Sequence, residues 1–131
     1  MASFRLPADE LEYAVLAEIW KRGCASVREL HESLGAPEHL VYTTIAKVVD
    51  RLREKGLIQR QRNGQAFIYR SRVAPEEVER ARARSTVTRL LGSTPRAAVA
   101  TLVEAVEALD PSLLEELERA VAERRRTKRG T

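Results

Sequence analysis

Apolar residues recur along this chain at helical spacing, interrupted once by a short strand-like stretch. Val41, Ile45, Val48 and Leu52 fall at i, i+4, i+7 and i+11, one side of a helix. The run predicts a helix over 38–55, opened by Pro37 in the first turn, where a missing N–H costs little. Lys55-Gly56 closes it, a cation in the last turn followed by a residue free to turn left-handed. Two strand-like runs follow, Leu57 to Arg62 and Gln65 to Arg70, joined by Asn63-Gly64. Asn-Gly suits a type I′ turn, which needs positive φ at both central residues, so 57–70 reads as a hairpin. With that turn, Ile58, Phe67 and Tyr69 share a face with Arg60 and Arg62. Leu57 and Ile68 take the other, and strand twist leaves both open as the core side.

Upstream, Asp9 can cap a helix running to about Arg22, with Leu11, Val15, Leu16, Ile19 and Trp20 on one face. Gly23 ends it, and Cys24-Ala25 could add a minor strand. Ser26-Val27-Arg28-Glu29 matches a capping box. Val27, Leu30 and Leu34 then share a face until Gly35 stops the helix. Two helices, a tight turn and a basic hairpin make a winged helix-turn-helix over residues 1–74. Downstream, Pro75-Glu76-Glu77 opens a helix that Gly92 ends. Thr94-Pro95 opens another, and Asp110-Pro111 a last one. The expected class is therefore mainly α with a small β-hairpin wing, followed by helices over 75–131.

Those last helices carry apolar stripes, Val99, Leu102, Val103 and Val106, then Leu113, Leu114, Leu117 and Val121, with no aromatic residue. Short helices of this kind cannot easily bury such stripes alone, and oligomerisation is a usual remedy. Residues 75–131 thus read as a homodimerisation region with a basic tail, Arg124 to Thr131. Folding back onto the winged domain is the alternative.

Charge sharpens the picture. Residues 42–72 hold eight cations and two carboxylates, a net +6 against +4 for the whole chain. Such a local basic patch is the electrostatic footprint of a nucleic-acid site. On the long helix Leu40, Thr43, Thr44, Lys47 and Arg51 form a second stripe. Threonine can meet a base edge or a thymine methyl; Lys and Arg can reach guanine or phosphate. Tyr42 either touches phosphate through its hydroxyl or packs beside Ile45. Arg60 and Arg62 flank the hairpin tip, and Arg28 lies on the helix expected to cross the DNA backbone. A solvated helix face is the plain alternative reading of the stripe.

Other chemistries find little support. The chain has 131 residues and one cysteine, Cys24, so no internal disulfide and no cysteine zinc cluster can form. His31-Glu32 begins like a zinc-protease motif, but the second histidine position holds Gly35. His31 and His39 are unclustered and read as surface or capping residues. There is no glycine-rich phosphate loop, so no cofactor, metal or catalytic set is expected. No apolar run approaches a membrane span, and the N-terminal stretch lacks a signal-peptide core. A cytoplasmic location is expected.

VYTTIAKVVDRLREKGLIQRQRNGQAFIY resembles the penicillinase-repressor family, the BlaI/MecI/CopY group of bacterial winged-helix regulators. LEYAVLAEIWKRG and SVREL resemble its first two helices; LLGSTPRAAVATLVEA and LDPSLLEELERAV resemble its dimerisation helices. The resemblance covers about residues 6–123. It implies a homodimer that binds a palindromic operator in double-stranded DNA and represses nearby genes. It points to Tyr42, Thr43, Thr44, Lys47 and Arg51 on the helix, with Arg62 and Gln65 at the wing, as DNA contacts. Three departures stand out. Gln65 replaces the arginine that often follows the wing glycine. Arg70-Ser71-Arg72 stands where a proline usually follows the second strand. Thr101-Leu102 occupies the place of the Asn-Phe bond cut in beta-lactam-responsive members, so an upstream signalling protease is left open. The C-terminal cysteine cluster of copper-responsive members is absent. Two further readings remain beside this one: a winged-helix protein-interaction module, and a ligand-sensing regulator with its pocket at a dimer interface.

Overall fold

The computed structural model describes residues 3–130. Its elements run α1 (Glu10–Arg22), α2 (Val27–Leu30), α3 (Tyr42–Glu54), β1 (Ile58–Asn63), β2 (Ala66–Ser71), α4 (Pro75–Ser93), α5 (Pro95–Leu109) and α6 (Pro111–Arg129). The chain is mainly helical with one antiparallel hairpin, the class expected from the sequence. It divides into two compact units, Met1–Ala83 and Arg84–Thr131. The division falls inside α4, beyond the sequence boundary at 74/75. The opening turns of α4 belong with the first unit: Val78 is fully buried, and the Arg82 guanidinium lies 4.5 Å from the Tyr13 ring centre.

The first unit is built around α3. Ile45, Val48, Val49 and Leu52 are fully buried against Val15, Leu16 and Ile19 of α1, Leu30 of α2, and Leu57 and Ile58 of the hairpin. Each such side chain contributes roughly 1.5–3 kcal/mol over its exposed state. Asp9 caps α1 by accepting the Glu12 amide at 2.9 Å. Ser26 and Glu29 form the expected capping box on α2. A single bridge, Ala25 with Tyr69, lays the predicted minor strand beside β2. At the far side of α1, the Trp20 indole N–H reaches Ser71 Oγ at 2.8 Å and the Val73 carbonyl at 3.1 Å. The end of the hairpin is thereby tied to α1.

Three local expectations are overturned. First, α3 begins at Tyr42, not at 38, and Val41 is exposed rather than core. Ala36–Glu38 makes a separate tight turn and His39 adopts left-handed φ 58°, which breaks the helical path. Leu40, placed on the polar stripe by sequence, instead packs against the core. Second, Gly35 does not end α2. The chain coils on through His31–Gly35 into the next turn. Glycine is needed there for space: a Cβ would meet His31 Cδ2 at 2.6 Å and Ile45 Cγ1 at 3.0 Å. Third, the hairpin turn is Gly64-Gln65. Asn63 pairs with Ala66, and only Gly64 has positive φ, 68°. Glycine at the first central position is the type II′ pattern, not the I′ pattern.

The second unit holds α5 and α6. No residue of either helix is buried. α6 opens on Asp110, whose carboxylate accepts the Ser112 amide at 3.0 Å. It continues to Arg129, so most of the basic stretch read as a tail is helical. Cations there complement the negative end of the helix dipole.

Candidate nucleic-acid interface

The surface of interest is the outer face of α3 with the wing beside it. Several devices fix how α3 is presented. Glu12 of α1 is almost completely buried, yet carries a carboxylate. It accepts from Lys55 Nζ at 2.5 Å, Arg51 Nε at 3.1 Å and the Ala8 amide at 3.0 Å. Burial alone would push this carboxyl up; the hydrogen bonds from Lys55, Ala8 and Arg51, with the Lys55 charge, outweigh it and hold it below the usual range. Two cations from the end of α3 are thus locked onto α1. On α2, the Ser26 amide and hydroxyl likewise hold Glu29 low.

The start of α3 is fixed differently. The Leu40 amide donates to the Gly35 carbonyl at 2.8 Å, and the Leu40 carbonyl accepts from His31 Nε2, also at 2.8 Å. The His31 ring meets the Tyr42 ring edge-on at 5.9 Å. His31 is therefore a bolt in the turn between α2 and α3.

The candidate contacts fall into distinct positions. Thr43 and Lys47 lie one turn apart on α3 and are exposed; Thr44 beside them is half-buried. Lys47 makes no ion pair among the described residues, so its ammonium is available to an outside partner. Tyr42 is half-exposed with its ring edge-on to His31, outside the buried core. Arg51 is 47% exposed, but its Nε is turned to Glu12. Arg28 is well exposed and pairs with Glu32 at 3.3 Å.

On the wing, Ile58, Phe67 and Tyr69 do share a face with Arg60 and Arg62. Arg60 stands opposite Tyr69 and Arg62 opposite Phe67. The Arg60 guanidinium lies 4.2 Å from the Phe67 ring centre and that of Arg62 5.6 Å. These cations therefore have a structural role that sequence reasoning did not give them, a cation–π cover over a half-buried ring. Arg60 also lines a shallow depression with Asp50, Arg53 and Glu54 at the end of α3. Arg62 Nε donates to the Gly64 carbonyl at 3.3 Å, and Gln65 is exposed at the tip.

In the second unit, Val99, Leu102, Val103 and Val121 are exposed, and Val106, Leu113 and Leu117 only half-covered. Both apolar stripes are open in the single chain. Among the described residues no group of three or more His, Cys, Asp or Glu could hold a metal ion. No described helix is long and apolar enough to cross a membrane.

A profile of the penicillinase repressor family matches residues 9–123, through the winged unit and on into α6. The chain belongs to the penicillinase repressor family. Among its relatives, the transcriptional regulator BlaI of two Mycobacterium tuberculosis strains is 39% identical over 61 residues. That match covers 46% of this chain and 44% of the relative, so it spans less than half of the curated protein. The solution structure of the DNA binding domain of the repressor BlaI has the same fold. It aligns with a TM-score of 0.51 at 23% identity, covering 56% of this chain and 92% of that one. The family and these relatives are named as repressors and transcriptional regulators, not as enzymes.

Sequence reasoning missed Glu12, although a signal was present. Positions 12, 15, 16 and 19 form one helix stripe, and a carboxylate on an otherwise apolar stripe calls for a buried cation partner. His31 and His39 had no comparable signal, because their roles depend on an irregular turn.

Proposed function

We propose that this protein is a dimeric, sequence-specific DNA-binding transcriptional repressor acting in the cytoplasm. The observation that carries this reading is the Thr43–Lys47 face. It is the polar, cation-bearing side of a helix whose opposite side is buried and whose two ends are clamped. A helix held this rigidly, with hydroxyls near its start and a free ammonium one turn on, suits the major groove. Arg28, Arg62 and Gln65 supply flanking contacts to phosphate, and Arg51 adds charge from its anchored position. The name of the mycobacterial relatives, transcriptional regulator, supports the same reading.

Residues 1–74, with the opening turns of α4 that pack on them, are assigned to DNA binding, and the rest of 75–131 to pairing of two copies. The open stripes of α5 and α6 support pairing, since a second copy would cover Val99, Leu102, Val103, Val106, Leu113, Leu117 and Val121. A two-fold dimer would read a palindrome with its two recognition helices about 34–36 Å apart, or a multiple of that.

The test is a mobility-shift titration of the protein against fragments of its own upstream region, repeated across salt concentrations. One fragment should be preferred, and its affinity should fall steeply with salt as counterions are released. Uniformly weak binding to every fragment would favour a protein-interaction module instead.

A further inference from the structure

The start of α3 lacks something that α1, α2 and α6 possess. Those helices are capped by the side chains of Asp9, Ser26 and Asp110. α3 is capped by Val41, which makes no side-chain hydrogen bond; α5 also lacks one, but its cap position holds a hydroxyl residue, Thr94, where α3 has an apolar one. A hydroxyl or carboxylate at this position typically adds stability, and valine is among the poorer choices. Packing does not explain the exchange, because Val41 is 63% exposed. Within the first unit, Val41 and Tyr42 are the only exposed large hydrophobic residues among those described. They are adjacent, and they sit where a recognition helix begins.

The two differ in freedom. The Tyr42 ring is held edge-on by His31. Val41 follows Leu40, whose amide and carbonyl are both bonded within the turn. The backbone is therefore fixed while the isopropyl group projects uncovered. Helix-turn-helix proteins bring the N-terminal residues of this helix to base edges. The thymine C5-methyl is the apolar group presented by bases in the major groove, and an apolar side chain is its complement.

We propose that Val41 is a specificity-determining residue that reads a thymine methyl group at the base edge. This rests on the DNA-binding reading above. Thr43 and Lys47 supply polar contacts, and Val41 supplies discrimination for thymine.

The experiment uses the full chain and its preferred DNA fragment. Each thymine is replaced in turn by deoxyuridine, which removes only the methyl group. At one thymine in each half-site the wild-type protein should lose about fourfold in affinity, the value of burying one methyl-sized group. Val41→Ser should lose a similar factor on thymine DNA and show no further loss with deoxyuridine at that position. The serine should also cap α3 and raise the melting temperature, so binding and stability move in opposite directions. Thr43→Ser should retain the deoxyuridine penalty. If Val41→Ser binds as the wild type does, or if every deoxyuridine penalty persists in it, the assignment is overturned while the DNA-binding reading stands. If the wild type prefers no fragment, both fall.

Discussion

Glu12→Ala should be among the costliest single changes in the winged unit. The carboxylate is 2% exposed and holds Lys55 Nζ, whose side chain is itself only 14% exposed. Removing it strands a largely buried ammonium and leaves the Ala8 amide without its acceptor. Breaking one side of a buried ion pair typically costs about 3–5 kcal/mol. Arg51 is half in water and can resolvate, so the lower figure applies, about 3 kcal/mol. For a unit of this size, that lowers the melting temperature by roughly 12–24 °C. The paired change Glu12→Leu with Lys55→Met removes both charges, and should recover to within about 1 kcal/mol of the wild type. Thermal melts followed by circular dichroism give both values. The pH dependence is an independent check. Glu12 has a folded pKa below its unfolded value, so its stabilisation is present above about pH 4.3 and is lost as pH falls through the folded pKa. The gap between wild type and variant should therefore be full at pH 7 and close at strongly acid pH. A Glu12→Ala cost below about 1 kcal/mol, or a double variant weaker than the single, would mean that the Glu12 carboxylate does not hold Lys55 in a buried pair.

Gly35→Ala forces a Cβ into His31 and Ile45 and should cost about 1–3 kcal/mol, read from the same melts. His39→Val places a β-branched residue at φ 58° and should cost about 1–3 kcal/mol, whereas His39→Gly should be tolerated. Lys47→Ala should leave stability unchanged and weaken operator binding. A base contact would show as roughly 1–3 kcal/mol and relaxed sequence preference, a phosphate contact as a salt slope smaller by about 1. Leu102→Asp places a charge on the open stripe of α5 and should shift the protein to monomer in sedimentation equilibrium without melting the winged unit.

Elements governed by local chemistry were legible in the sequence. Asp9, the Ser26–Glu29 box and the Pro75, Pro95 and Pro111 starts all mark helix ends where the structure has them. The buried face of α3 from Ile45 to Leu52 followed from its period. The turn between α2 and α3 did not. Pro37 looks like a helix start, but the left-handed His39 and the Leu40 bonds to Gly35 and His31 delay the helix to Tyr42. Those interactions join residues whose spacing follows no regular period. The wing turn was misplaced by one residue because Asn63-Gly64 and Gly64-Gln65 are both admissible hairpin pairs. Pairing of Asn63 with Ala66 decides between them. At the site, Thr43 and Lys47 were legible as an exposed pair, while the anchoring of Arg51 required knowing that α1 crosses its end of α3.

Whether α3 enters the major groove can be read from guanine N7 methylation protection on the preferred DNA fragment, because N7 faces that groove. Two protected patches related by two-fold symmetry are expected, about one helical turn or a multiple apart. Both patches should disappear for the Thr43→Ala, Lys47→Ala double variant while its fold persists. Binding without major-groove protection, or protection unaffected by those two substitutions, would contradict the placement of α3 against the duplex.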